Sequence, residues 1–217
     1  MTATRRVVVG GRPLEVALEL LEERRRRGLD RRDEVWDGEL HLAPPPHGDA
    51  QVLVEQIGVF FRLHWQALGL GETLPGTGVK RPRTPDLPAL GPGVPRDYRT
   101  PDRSFLLPAS YDRLQGGWIV GPPDAVLEVR SPGDETLEKL PWYFDLGVRE
   151  VILIDRDTRE VEVLARGERA FEPVATDADG WLKSEVLRTL LRREPGASRP
   201  ALRLRRTDDP AREHVVA

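Results

Sequence analysis

The sequence predicts a turn-rich fold of the α+β or mostly β class, and three observations support this. Gly and Pro each occur 20 times among the 217 residues, which argues against a helical bundle because both residues interrupt helices. Residues 14–27 and 47–69 carry apolar side chains at helical spacing. Residues 149–167 alternate as paired strands do. We expect one domain over residues 1–206 and a flexible tail over 207–217.

Composition and charge limit the classes of function. The chain contains no Cys, which excludes disulfides and thiolate metal sites and fits a reducing compartment. It has no apolar run of 18 residues, so we expect a cytoplasmic protein that does not bind membranes. The net charge of −3 gives no general attraction for nucleic acid. A polyanion would have to be bound by a local cluster of basic residues, within 24–32, 80–83 or 203–206.

The first half of the chain predicts two helices and a hairpin. Residues 14–27 form an apolar stripe that predicts an amphipathic helix. The Asp37-Gly38 pair between alternating apolar residues predicts two short strands joined by a tight turn. A second helix is predicted over 47–69, after three prolines. Residues 71–100 show no period and many Pro and Gly, so they predict a long irregular loop.

The second half predicts strands interrupted by a broken helix. Residues 101–108 and 125–129 are short apolar runs typical of strands. A helix is predicted over 135–146, and Pro141 should kink it or divide it into two short pieces. Residues 149–167 predict a buried strand, a turn and an antiparallel partner.

Charged residues beside these apolar runs form the candidate site. Asp102 precedes Glu128 by 26 positions, a separation that suits two strands joined by a turn and paired in one sheet. Paired strands would bring the two carboxylates to one sheet end. In a chain without Cys or clustered His, converging carboxylates favour Mg²⁺ or Mn²⁺. Lys139 on the following helix would then offset charge on a phosphate.

Each of these residues also has a simpler explanation. A Pro-Asp pair is common turn chemistry, which would explain both Asp102 and Asp124. An ion pair on a half-exposed strand would explain Glu128 and Arg130 equally well. Lys139 on an exposed helix face would be unremarkable. The residue pattern alone leaves these alternatives open.

Other motifs fail on their spacing. Residues 175–186 look like a calcium loop but have Ala175 and Val186 at the first and last ligand positions. No glycine-rich phosphate loop with Gly-Lys-Ser/Thr is present. The four histidines lack metal-ligand spacing and are expected at the surface or at helix caps. We keep only His47, because it follows three prolines at the entrance to a helix.

Five segments, taken in order, resemble one protein family. They are DGEL at 37–40, PPHGDAQ at 45–51, DYRTPDRSF at 97–105, PPDAVLEVRSPGDETLEKLPWY at 122–143 and GVREVILIDRDTREVEVL at 147–164. Their order and spacing are similar to those of the bacterial Uma-two family, which is expected to consist of endonucleases of the PD-(D/E)XK superfamily. The resemblance covers about residues 32–190.

The resemblance implies an α/β (α+β) fold with a restriction-endonuclease-like core, in which a mixed sheet is flanked by helices. It implies that Asp102 and Glu128 bind the metal ion and that Glu39 adds a third carboxylate. The usual lysine position of the superfamily, two residues after the glutamate, holds Arg130 here, which cannot act as a base. The family is expected to take its lysine from the next helix, which matches Lys139.

The function that the resemblance implies is hydrolysis of DNA phosphodiester bonds with Mg²⁺ or Mn²⁺ as cofactor. The expected catalytic residues are Asp102, Glu128, Lys139 and Glu39, with the three carboxylates as metal ligands and His47 and Arg130 as second-tier candidates. The alternative is an inactive nuclease-fold module that binds nucleic acid or a protein partner, and a third reading is a phosphohydrolase of small substrates. A homodimer is expected only because enzymes that cut both strands are often dimers.

Overall fold

The structure is a computed structural model that describes residues 4–9, 11–44, 47–196 and 199–216. Its helices are α1 (Leu18–Arg26), α2 (Gly48–His64) and α3 (Leu140–Leu146). Its strands are β1 (Thr4–Val9), β2 (Arg12–Ala17), β3 (Glu34–Trp36), β4 (Glu39–His41), β5 (Glu72–Pro75), β6 (Val79–Lys80), β7 (Tyr98–Arg99), β8 (Arg103–Leu106), β9 (Leu114–Gln115), β10 (Trp118–Val120), β11 (Ala125–Arg130), β12 (Glu150–Asp155), β13 (Val161–Arg166), β14 (Phe171–Pro173), β15 (Leu182–Ser184), β16 (Thr189–Glu194), β17 (Ala201–Arg206) and β18 (Glu213–Val216).

The central sheet has the strand order β14-β13-β12-β11-β8-β5. Its neighbours β11 and β12 are parallel, whereas β8 pairs antiparallel with β11. The first five residues of β11 are buried, which explains its nearly continuous apolar sequence, since a strand covered on both faces needs no polar alternation. The sheet is therefore mixed, as the sequence predicts.

Different elements pack against the two faces of this sheet. Leu127 and Ile152 belong to a core cluster that also contains apolar residues of α2 and of the C-terminal sheet β15-β16-β17-β18. Val126 and Val151 point to the other face, where they join a cluster with residues of α3. The prediction of a mixed sheet flanked by helices is confirmed.

The register of β8 and β11 positions the candidate site. Arg103 pairs with Leu127 in the antiparallel ladder, so Asp102, which precedes β8, lies beside Glu128. Because alternate residues of a strand share a face, Glu128 points to the face of Val126, the side covered by α3. The predicted pairing of the two strands is thus present.

The predicted helix over 14–27 is only partly correct. Residues 12–17 form β2, which pairs along its whole length with β1, and the helix begins at Leu18. Backbone pairing with a neighbouring strand overrides the local helical pattern there. Helix α1 has no fully buried residue among those described, and its apolar face makes a limited contact through Leu21, which packs against the small core cluster of Val7, Val35 and Leu40.

Two further segments are more ordered than predicted. The expected loop over 71–100 contains β5, β6 and β7, which are too short for a period to be recognised. The expected tail over 207–217 includes β18, which pairs antiparallel with β17. Strands β5, β6 and β7 are formed by pairing with segments well removed in the chain, of which the local sequence gives little sign, whereas β18 forms a hairpin with the preceding strand β17.

Two local predictions are confirmed. Asp37 and Gly38 have φ values of 50° and 92°, the left-handed backbone that a tight hairpin turn between β3 and β4 requires. The predicted broken helix is a 3₁₀ turn at Leu137–Lys139 followed by α3, with Pro141 in the first turn of α3.

Among the described residues, none of the helices has the length and apolar character needed to cross a bilayer.

Candidate active site

A cleft of about 390 Å³ opens at the sheet end where Asp102 and Glu128 lie. It is bounded by the β3–β4 hairpin, the start of α2, the loop after β11 and the 3₁₀ turn before α3. The charged and imidazole side chains that line it are Arg32, Glu34, His41, His47, Asp102, Glu128, Asp134, Glu135, Lys139 and Arg156. Both signs of charge therefore meet in one concave site.

The carboxylates of Asp102 and Glu128 are each fixed by the backbone of the other strand. The amide of Asp102 donates to Oε2 of Glu128 at 3.3 Å, and the amide of Val129 donates to Oδ2 of Asp102 at 2.8 Å. Burial raises the pKa of both carboxyl groups, and that of Glu128 reaches about 7. Burial thus disfavours the charged form of both acids, and a bound cation would favour it.

Lys139 lies between two carboxylates. Its Nζ is 2.9 Å from Oε1 of Glu34 and 3.3 Å from Oε1 of Glu128. Burial lowers the pKa of Lys139, but the charges of Glu128 and Glu34 more than offset this effect, so the pKa lies well above its ordinary value. The two carboxylates therefore favour the charged ammonium, which can stabilise negative charge.

Glu34 is the buried acid that sequence reasoning missed. It lies in β3, and its Oε1 accepts a hydrogen bond from the amide of Thr100 at 2.8 Å. Its Oε2 accepts one from the indole of Trp36 at 2.6 Å, and it forms the ion pair with Lys139 described above. The available signal was an acid in a strand two residues before Trp36, at the start of a predicted hairpin.

Glu39, the predicted third metal ligand, is not brought to this cluster. It lies at the turn end of the hairpin, opposite Trp36, whereas Glu34 lies opposite His41 at the inner end. Its Oε1 is 3.2 Å from Nε of Arg6, and its side chain is 39% exposed. It does not line the cleft formed by the described residues. The hairpin register thus brings Glu34, and not Glu39, to Lys139.

The two second-tier candidates have different surroundings. His47 lines the cleft and caps α2, accepting a hydrogen bond at Nδ1 from the amide of Asp49 at 3.3 Å. Arg130 forms an ion pair with Glu162 at 2.9 Å and does not line the cleft in the described part of the chain. The geometry therefore brings Lys139, and not Arg130, into contact with Glu128.

Two further side chains of the site had no recognised sequence signal. The Tyr143 hydroxyl, on α3, is fully buried and donates to Oε1 of Glu128 at 2.6 Å. His41 was expected at the surface, but its side chain is only 11% exposed. Its Nδ1 is 3.1 Å from Oε1 of Glu135, and its ring stacks on that of Trp36.

The cleft offers two carboxylates as donors for a metal ion, Asp102 and Glu128. Among the described residues, no three or more His, Asp or Glu side chains are grouped so that they could hold a metal ion. The predicted set of Asp102, Glu128 and Glu39 is therefore not assembled. Asp102 and Glu128 nevertheless line one cleft, and Mg²⁺ is commonly held by one or two carboxylates together with water and phosphate oxygens.

Replacing Glu128 with Gln should stabilise the metal-free protein at pH 8. Burial, with the charges of Asp102 and Glu34, raises the pKa of Glu128 from 4.5 to about 7. A carboxyl group whose pKa is higher in the folded state stabilises the fold at pH values below its pKa in the unfolded state. This stabilisation is lost as the pH rises through its pKa in the folded state. Glu128→Gln has no group that loses a proton in this range, so its free energy of unfolding at pH 8 should exceed that of wild type by about 1–3 kcal/mol. Lys139 keeps Glu34 as its partner in this variant.

Urea unfolding in EDTA at pH 5 and pH 8 measures this difference. The control is Glu162→Gln, which removes a half-exposed carboxylate from the same sheet and should change stability similarly at both pH values. A Glu128→Gln variant that gains no more stability at pH 8 than at pH 5 would contradict the prediction.

The fold and the site define an α+β protein with a pair of carboxylates in a cleft at one end of a mixed sheet. The family model of Uma2, described as "putative restriction endonuclease", matches residues 18–193, so the chain belongs to the Uma2 family. The family predicted from the five segments is thereby confirmed.

A solved structure supports the fold. The chain is similar to the crystal structure of a "putative nuclease" from Anabaena variabilis, with a TM-score of 0.55 and 16% sequence identity. The similarity covers 71% of this chain and 82% of that one. At this identity the likeness concerns the fold alone. No curated protein matches the sequence.

Proposed function

We propose that this protein is a metal-dependent endonuclease that hydrolyses DNA phosphodiester bonds. The observation that carries the proposal is the meeting of Asp102, Glu128 and Lys139 in one cleft. Membership of the Uma2 family supports a nuclease more generally. An isolated binding site for phosphate would gain nothing from two buried carboxylates, because they would repel the ligand.

The residues of the cleft suit distinct parts of this reaction. Asp102 and Glu128 would hold Mg²⁺ or Mn²⁺, which when bound supplies a Lewis acid for the phosphate and lowers the pKa of a coordinated water. Lys139 would supply a positive charge that stabilises the phosphate as it becomes more negative. Glu34 would position Lys139 through their ion pair, and Tyr143 would position Glu128 through its hydrogen bond.

The phosphate backbone would be met by local charge. The chain as a whole carries a net charge of −3, so it does not attract DNA generally. Arg32 and Arg156 line the same cleft as Lys139, and guanidinium groups bind phosphate oxygens with good geometry. DNA is therefore the proposed partner, bound through a limited number of phosphate contacts.

Cleavage of supercoiled and linear DNA in the presence of Mg²⁺ or Mn²⁺ tests the proposal. Wild type should cut, whereas Asp102→Ala and Glu128→Ala should each reduce the rate by at least about 10²-fold. Asp112→Ala, which removes an exposed acid outside the cleft, should cut at the wild-type rate. Activity that persists in either cleft variant, or that is unaffected by EDTA, would contradict this assignment.

One observation favours a second function, a nuclease-fold module that binds nucleic acid without cutting it. Lys139 already forms ion pairs with both Glu34 and Glu128 without any metal ion, and no cluster of three metal-binding side chains occurs in the described residues. If the protein is such a module, wild type should bind DNA and should not cleave it in the presence of either Mg²⁺ or Mn²⁺. Asp102→Ala would then leave DNA affinity unchanged or raise it.

A further inference from the structure

Arg32 makes the weakest carboxylate contact among the three Lys and Arg side chains that line the cleft. Its Nη1 is 3.4 Å from Oδ1 of Asp102, and its side chain is 40% exposed. Lys139 is buried between two carboxylates. Arg156 forms two hydrogen bonds of 2.9 Å with Asp157. The contact lies at the long end of the hydrogen-bond range and its Arg32 side is exposed, so Arg32 can leave its partner at a smaller cost than Lys139 or Arg156 can leave theirs.

The two oxygens of Asp102 differ in the way they are satisfied. Oδ2 accepts the 2.8 Å hydrogen bond from the amide of Val129. For Oδ1, the hydrogen-bond partner among the described residues is Arg32 alone. Oδ1 is thus the oxygen that remains for a cation, and Arg32 covers it. A second contact of Arg32, to Oε1 of Gln51 at 3.2 Å, is with a neutral group, so among the described residues Asp102 is the carboxylate that compensates the guanidinium charge.

We propose that Arg32 is a positioning residue that alternates between Asp102 and the substrate. Before a divalent ion binds, the guanidinium of Arg32 covers Oδ1 of Asp102. When a divalent cation takes that oxygen, Arg32 is released and binds a phosphate oxygen of the nucleic acid in the same cleft. This inference rests on the proposed function, since it assumes that Asp102 is a metal ligand and that the substrate carries phosphates.

The chemistry of the groups favours this exchange. A divalent cation and a guanidinium compete for one carboxylate oxygen, and the cation carries the larger charge on the smaller ion. A guanidinium displaced from a carboxylate keeps its planar set of donors, which matches phosphate as well as it matches carboxylate. Lys139 cannot make the same exchange, because leaving its site would remove the cation that the two buried carboxylates of Glu34 and Glu128 share.

The exchange predicts effects of opposite sign in two binding measurements. Without Arg32, the divalent ion has no competitor for Asp102, so the ion should bind more tightly. The nucleic acid loses one phosphate contact, so it should bind more weakly in the presence of the ion. A purely structural role of Arg32 in holding Asp102 would instead weaken the binding of both.

Calorimetric titration of Mg²⁺ into Arg32→Gln and Arg31→Gln provides the first test. Arg31 is exposed and lies outside the cleft, so the two variants have the same net charge. Arg32→Gln should bind Mg²⁺ about two- to five-fold more tightly than Arg31→Gln. Arg32→Lys, which keeps the charge and is the more conservative change for folding, should lie between Arg32→Gln and wild type.

Fluorescence anisotropy with a labelled 20-base-pair duplex provides the second test, at 4 °C in Mg²⁺, with the duplex checked on a gel afterwards. Arg32→Gln should bind it about five-fold more weakly than Arg31→Gln, and the slope of log affinity against log salt should fall by about one. Equal or weaker Mg²⁺ binding by Arg32→Gln, relative to Arg31→Gln, would overturn the inference alone. Absence of Mg²⁺ binding by wild type would overturn the proposed function and the inference together.

Discussion

Replacing Lys139 with Met should reduce DNA cleavage by about 10²–10³-fold, whereas Arg130→Met should change it by less than about three-fold. Lys139 lies within 3.3 Å of Glu128 and lines the cleft. Arg130 is engaged with Glu162 outside the cleft that the described residues form. The comparison therefore decides which of the two residues supplies the positive charge.

The Lys139→Met variant also loses stability, and this has to be separated from the loss of activity. Removing the cation of a buried ion pair costs about 3–5 kcal/mol, because Glu34 and Glu128 would remain as neighbouring buried charges. Lys139→Arg keeps a positive charge and should preserve the fold. Its larger, planar group does not reproduce the position of an ammonium, so we expect cleavage to fall by at least about ten-fold.

Initial rates of cleavage at 10 °C and thermal unfolding curves, measured on the same preparations, test both statements. A loss of activity in Arg130→Met that matches the loss in Lys139→Met would contradict the prediction. It would show that Arg130, at the position where the wider superfamily has its lysine, also supplies a positive charge needed for cleavage. Wild-type rates in a folded Lys139→Arg variant would show that a point charge at this position is unimportant.

The sequence could predict the pairing of Asp102 and Glu128 because that pairing depends on short-range features. Both acids adjoin apolar runs long enough to be recognised as strands, and the chain between them is short enough to favour neighbouring positions in one sheet. Resemblance to a family then selected these acids from several candidates. Asp124, the acid of the other Pro-Asp pair, has its carboxylate engaged with the backbone amide of Leu107 at 2.8 Å.

The sequence could not predict Glu34, because the environment of Glu34 is built from distant segments. Its partners are Trp36 in the same strand, Thr100 before β8, and Lys139 before α3. The hairpin was predicted correctly, but it contains acids at both ends, and no local property distinguishes the buried one. The same reason applies to His41, whose partner Glu135 lies 94 positions away in the chain.

Glu34→Gln should lower Mg²⁺-dependent cleavage by about 10–100-fold, and Glu39→Gln should leave it within about three-fold of wild type. Removing a residue that orients a group of the site commonly costs this much activity. Gln keeps the shape of Glu34 and can still accept one of the hydrogen bonds from Thr100 and Trp36. It cannot hold the ammonium of Lys139 by charge, so Lys139 would be left with Glu128 as its remaining carboxylate partner among the described residues.

Glu39 provides the matched control because it lies in the same hairpin and has the same chemical group. Its carboxylate is paired with Arg6 at a partly exposed position, where such pairs contribute little. Initial rates measured over a range of Mg²⁺ concentrations distinguish the roles. A fall in the maximal rate of Glu34→Gln at saturating Mg²⁺ is expected if Glu34 acts through Lys139. A large effect of Glu39→Gln, with Glu34→Gln unaffected, would show that the hairpin takes another register in the active enzyme.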